Sequence, residues 1–248
     1  MKKLLLMAMA CMVALSGSAQ DDTGMWVSAS VTKKLSSKWS TDVNIEYRMH
    51  DNMSQTDRWN IGLGVGYKLV KGVKISADYT FIEDYKDAGN TVALLDFDDS
   101  ARQYSVPSYT YWQQRHRFNL TVSGSLKLSK RWDVSLRERW QYTYRPSEDI
   151  YGTYGEQRRV IKTVNGKAEN VLRSRLTVAY DIKKSPIQPY VSCEAFTTDR
   201  IEKMRYTVGA EYDITKQHSV KLYYMYQNES GDDGKSLQAV GIDYGYKF

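Results

Sequence analysis

The chain has 248 residues, with 35 Lys and Arg against 29 Asp and Glu, a formal net charge of +6 and a mean hydropathy of −0.57. Its basic residues are spread along the sequence rather than clustered, which argues against a nucleic-acid-binding surface. Beyond residue 19 no apolar stretch approaches the roughly 20 residues that a membrane-spanning helix needs, so a helical membrane protein is excluded.

The N-terminal segment has the pattern of a secretory signal peptide. Two lysines after the first methionine precede an apolar core at 4–15, and small residues at 17–19 form a cleavage site. We expect residues 1–19 to be removed and residues 20–248 to form one domain. The net charge then falls from +6 to +4, because the two lysines leave with the signal.

The two cysteines bear on the processing of the chain. Removal of the signal takes Cys11 away and leaves Cys193, so no intramolecular disulfide is expected. Cys11 also allows a lipoprotein signal as an alternative, although residues 8–10 fit a lipobox poorly. Cys193 alternates with two small apolar residues, which favours a surface position over a reactive thiol.

The remaining chain alternates apolar and polar residues in about 10–12 segments, which predicts β-strands with one apolar and one polar face. The apolar faces of these segments run over Met25–Val31, Trp39–Tyr47, Trp59–Tyr67, Val73–Phe81, Phe118–Leu126, Trp132–Tyr144, Leu172–Tyr180, Val191–Ala195, Met204–Tyr212, Val220–Tyr226 and Val240–Phe248.

Strand length and aromatic placement distinguish a membrane barrel from a soluble one. The segments run about 10–13 residues, as tilted membrane-spanning strands do, whereas soluble strands average about 5–6. Aromatic residues stand at the ends of the apolar faces, as Trp59 and Tyr67 do around Ile61, Leu63 and Val65. This predicts an all-β fold: a single transmembrane antiparallel up-and-down barrel of about 10–12 strands, of the outer-membrane type, in the bacterial outer membrane. A soluble periplasmic barrel is the alternative.

Connection lengths orient the predicted barrel, since periplasmic turns are short and outer loops long. The tight turns lie at 35–38, 70–72, 128–131, 183–186 and 215–217; the longer connections lie at 50–57, 86–113, 145–169 and 228–235, and 198–200 is a short exception. The strand count is odd, whereas single-chain bacterial barrels have even numbers. Either a strand is split or missed, or the N-terminal segment enters the lumen or closes the barrel irregularly.

The last ten-residue segment, 239–248, alternates without a break and ends on an aromatic residue. We expect Tyr244, Tyr246 and Phe248 to form a membrane-insertion signal on one face, recognised by the barrel-insertion machinery. The outer-membrane lipid bilayer is the other expected partner.

Four short patterns carry a family resemblance: Gly24-Met-Trp26, Lys33-Lys-Leu35, Glu46-Tyr-Arg48 and Pro189-Tyr-Val-Ser-Cys-Glu194. With these, essentially the whole mature chain resembles DUF2490, an outer-membrane β-barrel family of unknown function. The resemblance implies location and architecture, and it brings no catalytic residues.

The polar faces, predicted to line the lumen, are heavily charged. The lumen charges singled out are Glu46, Arg48, Arg115, Arg117, Arg137, Arg139, Arg173, Arg175, Glu194, Arg205 and Glu211. A barrel of about 10–12 strands lies between one filled by side chains and one with an aqueous channel. The favoured function is therefore a structural or surface-binding element with a filled lumen, in which these arginines pair with acids such as Glu194 and Glu211. A narrow pore for small anionic solutes is the alternative.

Enzymatic function is not expected, although an outer-membrane lipid-modifying enzyme is kept as a second alternative. The three histidines, His50, His116 and His218, form no His-x-Ser pattern, and no phosphate loop or Cys/His cluster is present. We therefore predict no catalytic residue, cofactor or metal. Glu138 breaks an apolar face; a bulge that turns it inward is the favoured explanation, and a lipid-facing catalytic carboxylate the other.

Aromatic residues also occur in the predicted outer connections: Tyr109, Tyr111, Trp112, Tyr151 and Tyr154. They are expected either to stack on a sugar or lipid headgroup, or, as the favoured alternative, to pack the loops together.

Overall fold

The computed structural model describes residues 22–87, 91–97, 100–106, 110–154, 157–230 and 236–248, all in strands and their connections. The strands are β1 (Asp22–Lys34), β2 (Trp39–His50), β3 (Gln55–Val70), β4 (Val73–Asp87), β5 (Thr91–Phe97), β6 (Ser100–Val106), β7 (Thr110–Lys127), β8 (Trp132–Arg145), β9 (Glu148–Tyr154), β10 (Gln157–Val164), β11 (Lys167–Tyr180), β12 (Ile187–Thr197), β13 (Ile201–Asp213), β14 (His218–Glu229) and β15 (Ser236–Lys247). Within the described part, no helix is long and apolar enough to cross a membrane. The predicted signal peptide, 1–19, lies outside the described residues.

Eleven strands form one closed barrel in the order β1-β15-β14-β13-β12-β11-β8-β7-β4-β3-β2. This confirms the all-β barrel of about 10–12 strands. Neighbouring strands pair antiparallel except at the seam, where β1 and β15 are parallel from Asp22↔Leu237 to Thr32↔Lys247. The predicted antiparallel pairing therefore has one exception, and the odd strand count is explained by irregular closure at the N-terminal strand, one of the expected alternatives. With an odd number of strands, the first and last run in the same direction, so only a parallel pair closes the ring.

The two ends of the barrel differ. One end, here the tight-turn end, carries the turns at 35–38, 71–72, 128–131, 181–186 and 214–217 together with Phe248. The opposite end, here the hairpin end, leads to two separate two-stranded sheets, β5–β6 and β9–β10. The start of β1 also lies at the hairpin end, where the Met53 amide donates to the Thr23 carbonyl at 3.2 Å.

The β3–β4 turn requires a glycine. Gly72 has a φ of +86°, in the left-handed region that favours glycine. A Cβ at this position would also lie 2.7 Å from the Ser125 carbonyl oxygen on β7. A two-residue turn can thus join β3 and β4 while β7 packs beside it.

The outer wall of the barrel is apolar and bounded by aromatic residues. Exposed aliphatic side chains such as Leu63 and Leu222 form its middle. Aromatic pairs stand at both edges, with Trp39 and Tyr67 centroids 4.8 Å apart at the tight-turn end and Trp59 and Phe81 5.8 Å apart towards the hairpin end. Two aromatic girdles around an aliphatic band are the pattern of outer-membrane barrels.

The inner face at the seam holds a small apolar cluster. Trp26 on β1 packs with Met225 on β14 and Ala239 on β15, and all three are buried. Because Ala239 lies on the strand that closes the ring, the space left by its small side chain accommodates the indole.

Enlarging the side chain at the seam tests this packing. Ala239 is 0% exposed, whereas its neighbour Val240 is 42% exposed on the outer wall. We expect Ala239→Phe to lower the free energy of unfolding by about 1–3 kcal/mol through overpacking, measured by urea unfolding in detergent. Val240→Phe is the control, since it adds a ring to an open surface. Equal stability of the two variants would show that Trp26 does not depend on a small residue at the seam.

Candidate functional site

A buried carboxylate organises the interior of the barrel. Glu194 on β12 is 1% exposed, and four arginines from three strands surround it. The nitrogen–oxygen distances to its carboxylate are 2.7 Å from Arg137, 2.7 Å from Arg175, 3.0 Å from Arg173 and 3.7 Å from Arg205. We call these five residues the Glu194 cluster. Four cations share one anion, so its ion pairs leave an excess of positive charge.

Strand register creates the Glu194 cluster. Arg173 and Arg175 are two apart on β11 and therefore point to the same side. Arg175 stands opposite Glu194 on one side and opposite Arg137 on the other, and Glu194 stands opposite Arg205. Residues far apart in sequence thus form one row across four strands.

Aromatic rings extend the Glu194 cluster across the barrel. The Arg205 guanidinium lies 4.9 Å from the Trp26 ring centroid and 4.9 Å from that of Phe196. The Arg48 guanidinium lies over the Trp26 ring, 3.7 Å from its centroid, and the Arg173 guanidinium lies over the Phe196 ring, 4.4 Å from its centroid. Three guanidinium groups and two rings therefore contact one another in series, from β2 through the seam to β11. Cation–π contacts of this kind gain strength when they are shielded from water.

A second buried carboxylate pairs with two arginines in the same half of the lumen. The fully buried Asp84 on β4 accepts from the Arg58 Nε at 2.5 Å and also forms an ion pair with Arg115. Asp84 was not among the predicted lumen charges, because the predicted strand ended at Phe81. The available signal was the continued period of two: Thr80, Ile82 and Asp84 share the inner face as β4 extends to Asp87.

The other predicted lumen charges have different partners. Glu46 pairs with Arg48 at 2.7 Å and accepts a hydrogen bond from the Asn60 amide at 2.8 Å. Arg139 donates to the Thr121 hydroxyl at 3.0 Å and lies 3.9 Å from Asp78. Glu211, expected to hold an arginine, instead lies 3.2 Å from Lys221, its direct cross-strand partner. The arginines nearer the hairpin end are out of its reach and bind Glu194.

Small residues line the inner face nearer the tight-turn end. Gly62, Gly64 and Gly66 follow one another on the inner face of β3. A Cβ at Gly64 would meet the Asp42 carboxylate oxygens at 2.8 Å, so the neighbouring side chain lies flat across the glycine. The side chains of Asp42 and Lys74 thus occupy the space that Gly64 and Gly66 leave open.

Glu138 faces outward, contrary to the expected bulge. The registers of β8 with β7 and with β11 run continuously through Glu138, so it keeps the face that the alternation gives it. On that face it lies between Leu136 and Trp140 and accepts a hydrogen bond from the Ser174 hydroxyl at 2.6 Å. The cross-strand hydroxyl satisfies one oxygen of the carboxylate, which makes a bulge unnecessary.

The C-terminal aromatic residues lie together on the outer face at the tight-turn end. Tyr246 and Phe248 stack with centroids 5.4 Å apart, and the Tyr244 hydroxyl lies 2.6 Å from His218 Nδ1. The Phe248 amide donates to the Thr32 carbonyl at 3.0 Å, which fastens the chain end to β1.

The predicted loop aromatics are placed differently. Tyr111 and Trp112 belong to β7 rather than to a loop, because β4 and β7 continue to pair as far as Asp87↔Thr110. Trp112 packs on Tyr85 with centroids 5.1 Å apart. Tyr151 is an exposed residue of β9. Tyr109 and the side chain of Tyr154 lie outside the described residues. Across the described ranges, no three His, Cys, Asp or Glu side chains form a metal-binding group.

Comparison with known proteins agrees with this architecture. Residues 23–238 match the family model described as "Protein of unknown function (DUF2490)". The beta domain of the Bordetella autotransporter BrkA is 15% identical, with 87% of this chain and 86% of that chain covered and a TM-score of 0.57. The CymD monoaromatic hydrocarbon channel is 10% identical, with 88% and 71% covered and a TM-score of 0.46. No curated protein sequence matches. The BrkA likeness bears on the fold alone: a closed barrel of the outer-membrane type.

Removing the charge of the central carboxylate should be costly. Glu194→Gln keeps the shape but leaves four arginines without their anion, so we expect a loss of about 3–5 kcal/mol in the free energy of unfolding. Glu211→Gln is the matched control, since it removes one partly exposed pair with Lys221 and should cost about 0–1 kcal/mol. Urea unfolding in detergent, followed by tryptophan fluorescence, compares them. Equal losses would contradict the special role of Glu194.

Replacing the outward polar pair should stabilise the barrel. A carboxylate on the apolar outer wall costs free energy, and exchanging both hydrogen-bond partners for apolar groups avoids an unpaired donor. We expect Glu138→Leu with Ser174→Ala to raise the free energy of unfolding by about 1–2 kcal/mol. Ser174→Ala alone should lower it by about 1 kcal/mol, because Glu138 loses its donor. A double variant less stable than the parent would contradict this expectation, because the Glu138–Ser174 hydrogen bond would then stabilise the barrel more than the apolar side chains that replace it.

Proposed function

The chain belongs to the DUF2490 family, and we propose that it is a bacterial outer-membrane protein whose lumen is closed by side chains. In this proposal it is a structural or surface-binding element, with the hairpin end at the cell surface. This proposal rests above all on the Glu194 cluster, in which one buried carboxylate on β12 joins arginines of β8, β11 and β13 along the inner wall.

The interior contacts support closure. Arg205 lies between the rings of Trp26 and Phe196, and Arg173 and Arg48 cover the outer faces of those rings. These groups are held by ion pairs as well as by ring contacts, so opening a path would require several of them to separate together. A solute would meet this obstacle in the hairpin-end half of the lumen.

The outer wall supports the proposed location. An aliphatic band between two aromatic girdles fits the hydrocarbon core and interfaces of a bilayer. The stacked Tyr246 and Phe248 at the chain end offer an aromatic surface that the barrel-insertion machinery could bind during assembly. The exposed hairpin β9–β10, with Tyr151 on it, is a candidate contact surface for partners outside the cell.

A narrow anion-favouring pore is the second candidate. It is supported by the charge of the Glu194 cluster, where four arginines face one carboxylate. Any path past them would favour anions.

We propose no catalytic activity, and an outer-membrane lipid-modifying enzyme is the least supported alternative. His116 Nδ1 lies 2.8 Å from the Tyr79 hydroxyl on the outer wall, and His218 bonds to Tyr244. Both imidazoles thus engage phenols of the girdle region, where amphipathic aromatic residues are structural.

Cysteine labelling in intact cells tests the proposed location and orientation. Single cysteines at Thr23 and Asn52, in a Cys193→Ser background, should react with a membrane-impermeant maleimide. Lys130→Cys, at the tight-turn end, should react only after lysis. Labelling at Thr23 is the most specific test of the topology, because the parallel seam places the start of β1 at the same end as Asn52. If only Lys130→Cys were labelled in intact cells, the tight-turn end would lie at the cell surface, contrary to this proposal.

Planar-bilayer recording tests closure. We expect no current steps from the purified protein, because paired side chains fill its lumen. The double variant Phe196→Ala with Arg205→Ala removes the middle of the series of rings and guanidinium groups, and we expect it to conduct. Its current serves as the control, because it shows that the barrel inserts into the bilayer. Steady anion-selective steps from the unaltered protein would favour the pore. Cation-selective steps would contradict the assignment of the inner face.

A further inference from the structure

The ion pairs in the hairpin-end half of the lumen are unbalanced. Three carboxylates are shared by seven arginines: Glu46, Asp84 and Glu194 pair with Arg48, Arg58, Arg115, Arg137, Arg173, Arg175 and Arg205. A guanidinium stays protonated in proteins. Seven cations minus three anions leave four positive charges in these pairs, in an interior where uncompensated charge is costly.

Arg117 adds to this surplus. Its Nε lies 3.4 Å from the Thr143 hydroxyl, a contact at the long limit of a hydrogen bond. Among the described residues, no carboxylate lies within ion-pair distance of its guanidinium. The charged side chains that act on it most strongly are themselves arginines: Arg58, Arg173, Arg48 and Arg115. Arg117 is thus a cation surrounded by cations.

Unused donors accompany the surplus. The Nε atoms of Arg137 and Arg175 are buried and, within the described part of the chain, find no hydrogen-bond acceptor. The neighbours of Arg117 each hold an acid, so their geometry is fixed while Arg117 remains available. Such an arrangement lacks an anion, and the planar guanidinium fork matches the oxygens of a phosphate.

We propose that the lumen binds a small oxyanion of the phosphate class at Arg117, as the counter-ion that the surrounding arginines lack. The ligand is either the free ion or the phosphate group of a small solute, since both present the same oxygens. The site goes beyond the proposed closure and does not depend on it, because a bound anion can complete a closed lumen or occupy a pore.

Isothermal titration calorimetry of the whole mature protein in zwitterionic detergent tests the site. Inorganic phosphate is titrated at low ionic strength, with chloride at matched ionic strength as the reference. We expect saturable binding of one phosphate per chain and no saturable binding of chloride. Arg117→Gln should weaken phosphate binding about tenfold or more, and Arg117→Lys less, because it keeps the charge and loses the fork. Lys127→Gln, at a side chain 76% exposed near the tight-turn end, is the control and should bind as the parent does.

Each variant is first shown to be folded by its heat-dependent shift in gel mobility. Competition by glycerol 3-phosphate identifies a solute phosphate as an acceptable ligand, and phosphate binding without such competition identifies the free ion; both support the site. Absence of saturable phosphate binding, an equal response to chloride, or undiminished binding by folded Arg117→Gln overturns it. Bilayer recording measures conduction separately, so failure of the binding site and failure of the closed barrel are distinguishable.

Discussion

The interior of this barrel depends on one electrostatic constraint: charged side chains that are shielded from water need partners of opposite charge. Glu194 is the partner of four of these charges, because its two oxygens bind four guanidinium groups and are almost completely shielded from water. Its removal would leave like charges facing one another, which is why a single buried carboxylate can outweigh many exposed pairs. Aromatic rings share the task, since Trp26 and Phe196 each face two arginines and separate cations that would otherwise repel.

The parallel seam determines where these groups meet. Because β1 pairs with β15 in parallel, Trp26 enters the lumen at the hairpin end, within reach of Arg48 from β2 and Arg205 from β13. Ala239 on β15 leaves room for the indole. An even-stranded barrel closed by an antiparallel pair would begin and end at the same rim. Here the first strand begins at one end and the last strand finishes at the other, so closure and interior packing are parts of one arrangement.

The alternation of side chains made the barrel predictable, because a period of two is a local property of the sequence. It identified the eleven barrel strands and the inward direction of residues such as Arg173 and Glu194. Partner identity was not predictable in the same way, since it depends on register between distant strands: Glu211 meets Lys221, and Asp84 takes Arg58. The error at Glu138 has a similar origin, because its Ser174 donor is supplied by the facing strand β11, which a single strand does not reveal.

The central claim is that Glu194 and its arginines form one energetically coupled unit, and a double-mutant cycle tests it most directly. Urea unfolding is measured for Glu194→Gln, for Arg173→Gln with Arg175→Gln, and for the three changes combined. We predict that the combined variant loses less stability than the sum of the two losses, with a coupling of about 1–3 kcal/mol, because the carboxylate no longer stabilises the arginines that have been neutralised. Additive losses, with no coupling beyond error, would contradict it.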